Sequence, residues 1–231
     1  MAAATGAHKL GRLRAQPGLP TRDPLRPGLH GLAGPGGDHV LLVPEQSPDT
    51  PIPLVVFLHG SGGSPVRSLA YLQEEAERLE FLLLVPKSFH YTWDVILGGF
   101  GPDVESLDRV LTEVFEHFPV DPERVLLSGF SDGASYALTL GLLNGQLFRR
   151  ILAYSPGFVV PGPRTGRPAV FVSHGTDDPV LPIDRCSRVI VPRLRAEGYE
   201  VDYREFPDGH VVPPAVVAAS LEPLGEPLDG R

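Results

Sequence analysis

The alternation of short apolar runs with amphipathic segments constrains the fold of this chain more than any other feature. The middle five runs are apolar on both faces, as expected of strands covered by helices on both sides of a sheet. Strands and helices in alternation predict an α/β domain with a doubly wound, mostly parallel sheet. The apolar runs occupy residues 39–44, 53–60, 81–86, 124–129, 150–156, 169–175 and 200–206.

Helical patterns lie between these runs. In residues 103–118, apolar side chains recur at steps of three and four, Asp103 is placed to cap the helix, and Pro119 ends it. Two more helices are expected at 66–79 and 185–198. No insertion between strands is long enough to form a large cap domain over the sheet.

The composition of the two ends differs from that of the middle. The chain has 231 residues with 42% hydrophobic content, enough for the core of one domain. Residues 1–37 are rich in Gly, Pro, Ala and Arg, so we expect a loosely ordered arm there. The folded α/β domain would then cover 38–222, and the proline-containing segment 223–231 would be a C-terminal tail.

Charge and cysteine content exclude several kinds of partner. The formal net charge is −8 without a cluster of Lys or Arg, which argues against binding to nucleic acid or to an anionic membrane. Cys186 is the one cysteine, so an internal disulfide is excluded. The sequence shows no apolar stretch of signal-peptide or membrane-spanning length, and we predict a cytoplasmic protein. A homodimer is compatible with these features.

The segment GFSDGASYAL, residues 129–138, contains a candidate nucleophile. Ser131 lies between a predicted strand and a predicted helix, with a glycine two residues away on each side. A sharp turn of this kind exposes the serine hydroxyl, and the glycines let the backbone bend without a clash. The N–H of Asp132, in the first turn of the helix, is a candidate donor to an oxyanion.

A serine nucleophile needs a histidine base, and that histidine needs a carboxylate to orient it. At a strand-turn-helix nucleophile, the acid and then the histidine follow the serine along the chain. Only His174 and His210 follow Ser131, and His174 ends a buried-strand pattern before any loop acid. His210 is therefore the predicted base. Asp177 and Asp178 are both candidates for the acid, and the residues alone do not separate them.

The glycine-rich segment FLHGSGGSP, residues 57–65, follows another predicted strand. A second backbone N–H for the oxyanion normally comes from such a loop. Ser61 is the first candidate for this donor and Gly62 is the second. A phosphate-binding loop is disfavoured, because no Gly-Lys-Ser/Thr sequence follows.

Four motifs in this order, LVVFLHGSGGS, GFSDGASYAL, SHGTDDPVLP and DGHVVPP, resemble the α/β-hydrolase superfamily. The chain is most similar to serine esterases of the phospholipase/carboxylesterase type, which are related to dienelactone hydrolases and to esterases resembling polyhydroxybutyrate depolymerases. The resemblance covers roughly residues 37–215. It implies a sheet of about eight strands with the site above their carboxyl ends, and it implies that Asp178, directly before proline, is the acid.

We therefore predict a serine carboxylesterase that needs no metal and no organic cofactor. Its substrates would be short to medium acyl or aryl esters, cleaved through an acyl-enzyme. Two alternatives stay open: an acyl thioesterase with the same triad, and a non-catalytic ligand-binding protein on a hydrolase scaffold. A peptidase is disfavoured, because no segment would form a cap over a peptide. The residues expected to bind the substrate are Tyr91, Trp93, Phe130, Phe158 and Val180.

Overall fold

The computed structural model describes residues 6–45 and 51–225. Their strands form one eight-stranded sheet. The strands lie side by side in the order β1-β2-β4-β3-β5-β6-β7-β8. β1 pairs antiparallel with β2, and β2 pairs antiparallel with β4. The other neighbouring strands, from β4 across the sheet to β8, pair parallel. The prediction of a doubly wound, mostly parallel α/β sheet is confirmed. The strands are β1 Gly28–Leu32, β2 His39–Val43, β3 Ile52–Leu58, β4 Leu82–Val85, β5 Val120–Phe130, β6 Arg150–Tyr154, β7 Ala169–Gly175 and β8 Val201–Phe206.

Six α-helices occur in the described residues, and two of them differ from expectation. The helix predicted over 66–79 is divided into α1 and α2 by a short 3-10 turn. Gly101 caps α3 instead of Asp103, whose carboxylate accepts hydrogen bonds from the N–H groups of Phe89 and Asp94. Asp103 thus ties a preceding loop to the helix. The helices are α1 Pro65–Ser68, α2 Gln73–Leu79, α3 Pro102–His117, α4 Asp132–Leu143, α5 Ser187–Ala196 and α6 Pro214–Leu221.

Two apolar cores cover the two faces of the sheet. Along β3, Leu54 and Val56 point into one core while Val55 and Phe57 point into the other, as the two-residue period of a strand requires. Helices α3, α4 and α5 pack on the first face, and α2 and α6 pack on the second. This double burial explains why the central strands are apolar at every position.

Residues 6–37 are part of the fold, which corrects, for these residues, the prediction of a loosely ordered arm over residues 1–37. β1 extends the sheet, and the residues before it lie along α3 and α4. Asp108 on α3 is 2.8 Å from the imidazole Nε2 of His8, and the side chain of Asn144 accepts a hydrogen bond of 2.9 Å from the N–H of Leu13. Because these polar side chains are buried, the contacts they make fix the path of the segment.

The C-terminal boundary also moves outward from the predicted residue 222. A short 3-10 helix covers Glu222–Leu224, and Leu224 is buried in the second core. Residues 1–5 of the predicted arm and 226–231 of the predicted tail lie outside the described residues. Within the described ranges, no helix combines the length and the apolar character needed to cross a bilayer.

A buried histidine at the start of β2 makes stability depend on pH. His39 accepts the N–H of Lys87 at Nδ1 (2.9 Å), so its proton is on Nε2, which lies 3.0 Å from Ser106 Oγ. Burial lowers the pKa of His39 from its ordinary 6.5 to about 4. Between these values the unfolded chain binds a proton that the folded chain does not, so the free energy of unfolding falls as pH falls.

We expect His39→Gln to remove this contribution, which amounts to about 3 kcal/mol between neutral pH and pH 4. Urea unfolding of both proteins across this range measures it. The variant should be less stable than wild type at pH 7 and should lose less stability on acidification. Burial raises the pKa of Asp103 to about 6, so this residue makes the free energy of unfolding rise as pH falls. Because Asp103 is present in both proteins, the difference between wild type and His39→Gln isolates the effect of His39. His90→Gln, at an exposed histidine, is the control. Parallel pH profiles for wild type and His39→Gln would contradict the assignment.

Candidate active site

Four loops meet at the carboxyl edge of the parallel strands, where ligands bind in open α/β sheets. They follow β3, β5, β7 and β8, and each carries one part of the site predicted from the sequence. Residues 59–64 follow β3, and Ser131 follows β5 directly. Asp178 follows β7, and His210 follows β8. Residues that are up to 79 positions apart in the chain are thereby brought into hydrogen-bonding distance.

Ser131 occupies a strained turn between β5 and α4. Its backbone has φ 59° and ψ −121°, in the positive-φ region that side chains other than glycine rarely adopt. A Cβ added at Gly129 would overlap the carbonyl of Gly133, and one added at Gly133 would overlap the carbonyl of Leu58. Glycine is therefore required at both positions, and the tight turn holds the Ser131 side chain above the sheet.

Ser131, His210 and Asp178 form one chain of hydrogen bonds. His210 Nε2 lies 2.9 Å from Ser131 Oγ, and His210 Nδ1 lies 2.6 Å from Asp178 Oδ2. Since a carboxylate only accepts, the proton is on Nδ1, and Nε2 is left to accept the serine proton. This is the geometry that activates a serine hydroxyl. Asp177, the other candidate acid, is exposed.

The carboxylate of Asp178 is held from several directions. Oδ1 accepts the N–H groups of Val180 and Leu181, both at 2.9 Å. Burial favours the neutral acid, but the hydrogen bond from Leu181 and the one from His210 outweigh it, so the pKa of Asp178 lies below its ordinary value. Asp178 is thus a fixed anion that can stabilise a protonated His210.

A second histidine, rejected above as the base, touches the same carboxylate. His174 Nε2 is 2.8 Å from the carbonyl of Leu181 and 3.2 Å from Asp178 Oδ2, so Nε2 carries the proton. Its Nδ1 accepts a hydrogen bond of 2.6 Å from Ser187 Oγ at the start of α5. Burial lowers the pKa of His174, which keeps the ring neutral. His174 orients Asp178, a role that its position at a strand end did not indicate.

Two backbone N–H groups near Ser131 have no acceptor within the described part of the chain. They belong to Ser61 and Asp132, the two predicted oxyanion donors. The N–H of Gly62, the second choice, donates to the carbonyl of Tyr91 at 2.9 Å and is not available. The geometry therefore favours Ser61 over Gly62.

His59, which precedes this loop, fixes its conformation. Its Nε2 accepts the N–H of Ser88 (3.2 Å), so Nδ1 carries the proton and donates to the carbonyl of Gly60 (2.8 Å). Burial lowers the pKa of His59, which keeps the ring in this neutral state. No role was predicted for His59, although its place directly before the glycine-rich loop was a usable signal.

Trp93, predicted to bind substrate, is a core residue. Its side chain is fully buried and stacks on Tyr136 with ring centroids 5.2 Å apart. The indole N–H donates to the carbonyl of His59 at 2.8 Å. Trp93 supports residues 60–64, the oxyanion loop, from below and has no surface open to a substrate.

The other four predicted substrate-binding residues occupy different positions. Phe130 is half-buried, and its ring lies 4.7 Å from that of His210. Tyr91 and Val180 are exposed, beside the oxyanion loop and the triad acid respectively. Phe158 is half-buried after β6, and among the described residues no hydrogen bond or ring contact joins it to the triad. Phe130 is the one with a direct contact to the catalytic histidine candidate.

Comparison with known families identifies the chain. The model of the phospholipase/carboxylesterase family matches residues 99–222, more than half of the chain. The chain belongs to the phospholipase/carboxylesterase family. The matched segment contains Ser131, Asp178 and His210, and the family resemblance inferred from the four motifs is confirmed.

Curated relatives of this phospholipase/carboxylesterase family member include a feruloyl esterase and an acyl-protein thioesterase. It is 25% identical over 158 residues to feruloyl esterase C of Emericella nidulans, covering 64% of this chain and 57% of the relative. It is 30% identical over 103 residues to acyl-protein thioesterase 1 of Gibberella zeae, covering 40% of this chain and 43% of the relative. The chain therefore spans less than two thirds of the length of these relatives.

A solved structure supports the fold of the family member. The ferulic acid esterase of Anaeromyces mucronatus, in complex with ferulic acid, superposes with a TM-score of 0.65. The match covers 94% of each chain at 16% identity. At this identity the likeness establishes the shared α/β-hydrolase fold.

Proposed function

We propose that the protein is a serine hydrolase that cleaves carboxylic esters with Ser131 as nucleophile, His210 as base and Asp178 as the orienting acid. The observation that carries the proposal is the hydrogen-bond chain from Asp178 through His210 to Ser131 at the ligand-binding edge of the sheet. Membership of the phospholipase/carboxylesterase family supports the same reaction.

The reaction proceeds in two halves. In the first, His210 Nε2 takes the proton of Ser131 Oγ while the oxygen attacks the ester carbonyl carbon. The N–H groups of Ser61 and Asp132 stabilise the negative oxygen of the tetrahedral intermediate. His210 then protonates the leaving alcohol as the carbon–oxygen bond breaks, and the acyl group stays on Ser131.

In the second half, water replaces the alcohol. His210 takes a proton from water as the water oxygen attacks the acyl-enzyme, and it returns that proton to Ser131 Oγ when the acid is released. Asp178 keeps the Nδ1 proton in place and stabilises the charged imidazolium in both halves. This sequence requires neither a metal nor an organic cofactor.

Short to medium acyl or aryl esters are the proposed substrates, with acyl thioesters as the second candidate. The feruloyl esterase relatives support esters that contain an aromatic ring, and the acyl-protein thioesterase relative supports thioesters. A non-catalytic binding protein is disfavoured, because every part of the hydrolytic site is present. A cytoplasmic location and a homodimer remain predictions from the sequence, and the mechanism depends on neither.

Kinetics on matched substrates separate these functions. We expect hydrolysis of p-nitrophenyl acetate, butyrate and octanoate, with the highest kcat/KM on one of the two shorter esters. The acetyl and butyryl esters of thiocholine, compared with the corresponding choline esters, measure the preference between sulfur and oxygen leaving groups. A preference for the thiocholine esters beyond their intrinsic reactivity would assign the protein to the thioesterases. A folded protein that is inert on all of these substrates would contradict the proposal.

A further inference from the structure

A cleft borders the oxyanion loop on the side of α1. Its volume is about 500 Å³, and its wall shares Phe130 and the oxyanion loop with the candidate active site. The lining residues are Gly60, Ser61, Gly62, Gly63, Ser64, Arg67, Ser68, Ala70, Tyr71 and Phe130.

An aromatic row connects this cleft to the catalytic histidine candidate. The ring of Tyr71 lies 5.6 Å from that of Phe130, and the ring of Phe130 lies 4.7 Å from that of His210. Tyr71 is also backed by Phe57 in the second core, at 5.3 Å. These contacts form an aromatic wall that leads from the cleft toward His210.

Among the described residues that line the cleft, Arg67 alone carries a charge. Its guanidinium donates to two neutral acceptors, Ser64 Oγ and the carbonyl of Gly62, both at 3.3 Å. Among the described residues, no carboxylate forms an ion pair with it. In a chain of net charge −8, an arginine left without a counter-ion at the edge of the site is available to a ligand.

We propose that the α1-side cleft selects ester substrates that carry a carboxylate, and that Arg67 is the residue that binds this carboxylate. The inference rests on the proposed function and names its substrate class. The aromatic wall would hold the apolar part of the substrate, and the planar guanidinium would pair with the carboxylate through two parallel hydrogen bonds. The described lining residues include no Asp or Glu, so none of these side chains repels the anion.

The guanidinium of Arg67 also donates to the carbonyl of Gly62 and so holds the oxyanion loop. This support of the loop has to be separated from the binding of the substrate carboxylate. Loss of that contact would change the loop and slow every ester alike, whether charged or neutral. Loss of the carboxylate partner would slow only charged esters. The ratio of the two rates isolates charge recognition.

The experiment compares Arg67→Gln, Arg67→Lys and wild type on three substrates. One is the mono-p-nitrophenyl ester of glutaric acid, with the anion on the acyl part. The second is 4-butyryloxybenzoate, with the anion on the alcohol part, and the third is neutral p-nitrophenyl butyrate. Arg193→Gln, at an exposed arginine of α5 that does not line the cleft, is the matched control.

We expect Arg67→Gln to lower kcat/KM for at least one anionic ester by about 10-fold relative to the neutral ester. Arg67→Lys should retain part of the preference, and added salt should reduce it in wild type. The ester that is affected shows on which side of the scissile bond the carboxylate lies. Equal effects of Arg67→Gln on charged and neutral esters would overturn the proposal.

A binding measurement keeps this test independent of turnover. Calorimetry on Ser131→Ala, with and without Arg67→Gln, measures the affinity for whichever of the two anionic esters shows the larger kinetic effect. Weaker binding of the carboxylate ester by the double variant supports the subsite, and unchanged binding overturns it. Failure of ester hydrolysis by wild type would count against the hydrolase function alone.

Discussion

Ser131→Ala is expected to abolish ester hydrolysis while leaving the fold intact. Without the hydroxyl no acyl-enzyme forms, and kcat should fall by about 10⁴- to 10⁶-fold. The backbone N–H groups at the site are unaffected, so KM should change little. Steady-state kinetics on p-nitrophenyl butyrate, with circular dichroism to check the fold, measure the effect.

Ser61→Ala provides the matched control for this substitution. The Ser61 side chain is exposed, and the residue is proposed to act through its backbone N–H, which alanine retains. Its activity should stay close to that of wild type. Residual Ser131→Ala activity within tenfold of wild type would show that another group is the nucleophile.

Asp178→Asn should produce the second large loss, about 10⁴-fold in kcat. The asparagine side chain no longer requires a proton on His210 Nδ1, because its amide nitrogen donates where a carboxylate oxygen accepts. A ring with its proton on Nε2 cannot take the proton of Ser131. The measurement is kcat for p-nitrophenyl butyrate at neutral pH.

Asp177→Asn is the control that separates the neighbouring acids. Asp177 is exposed, and its carboxylate accepts one hydrogen bond from Thr176, at 3.3 Å. This variant should keep near-normal kcat. The reverse pattern, with Asp177→Asn inactive and Asp178→Asn active, would reassign the acid and the orientation of His210.

The strands of the sheet were predictable where burial on both faces requires apolar residues. The central strands are buried on both faces, so each is a continuous apolar run. β1 gives no such signal, because it is an edge strand with a single buried residue, Leu32. The path of the N-terminal segment depends on Asp108 and Asn144, which lie 100 and 131 positions along the chain from their partners His8 and Leu13. Contacts between residues so far apart in the chain leave no pattern in the sequence around either partner.

The predicted triad residues, each carried by one local motif, lie within hydrogen-bonding distance of one another, whereas tertiary neighbours decide the positions of Gly62 and Trp93. Ser131 and His210 follow strands with recognisable turn sequences, and their approach follows from the topology. The availability of Ser61 instead of Gly62 depends on the carbonyl of Tyr91, a tertiary contact. Trp93 was expected to bind the substrate, yet its indole lies under the oxyanion loop and donates to the carbonyl of His59.

The central claim is that Ser131 is the acylated nucleophile, and covalent labelling with a fluorophosphonate tests it most directly. Intact-mass analysis followed by peptide mapping should find one adduct per chain, on the peptide that contains Ser131. Ser131→Ala should remain unlabelled under the same conditions. No adduct on folded wild type, or an adduct on a different serine, would contradict the claim.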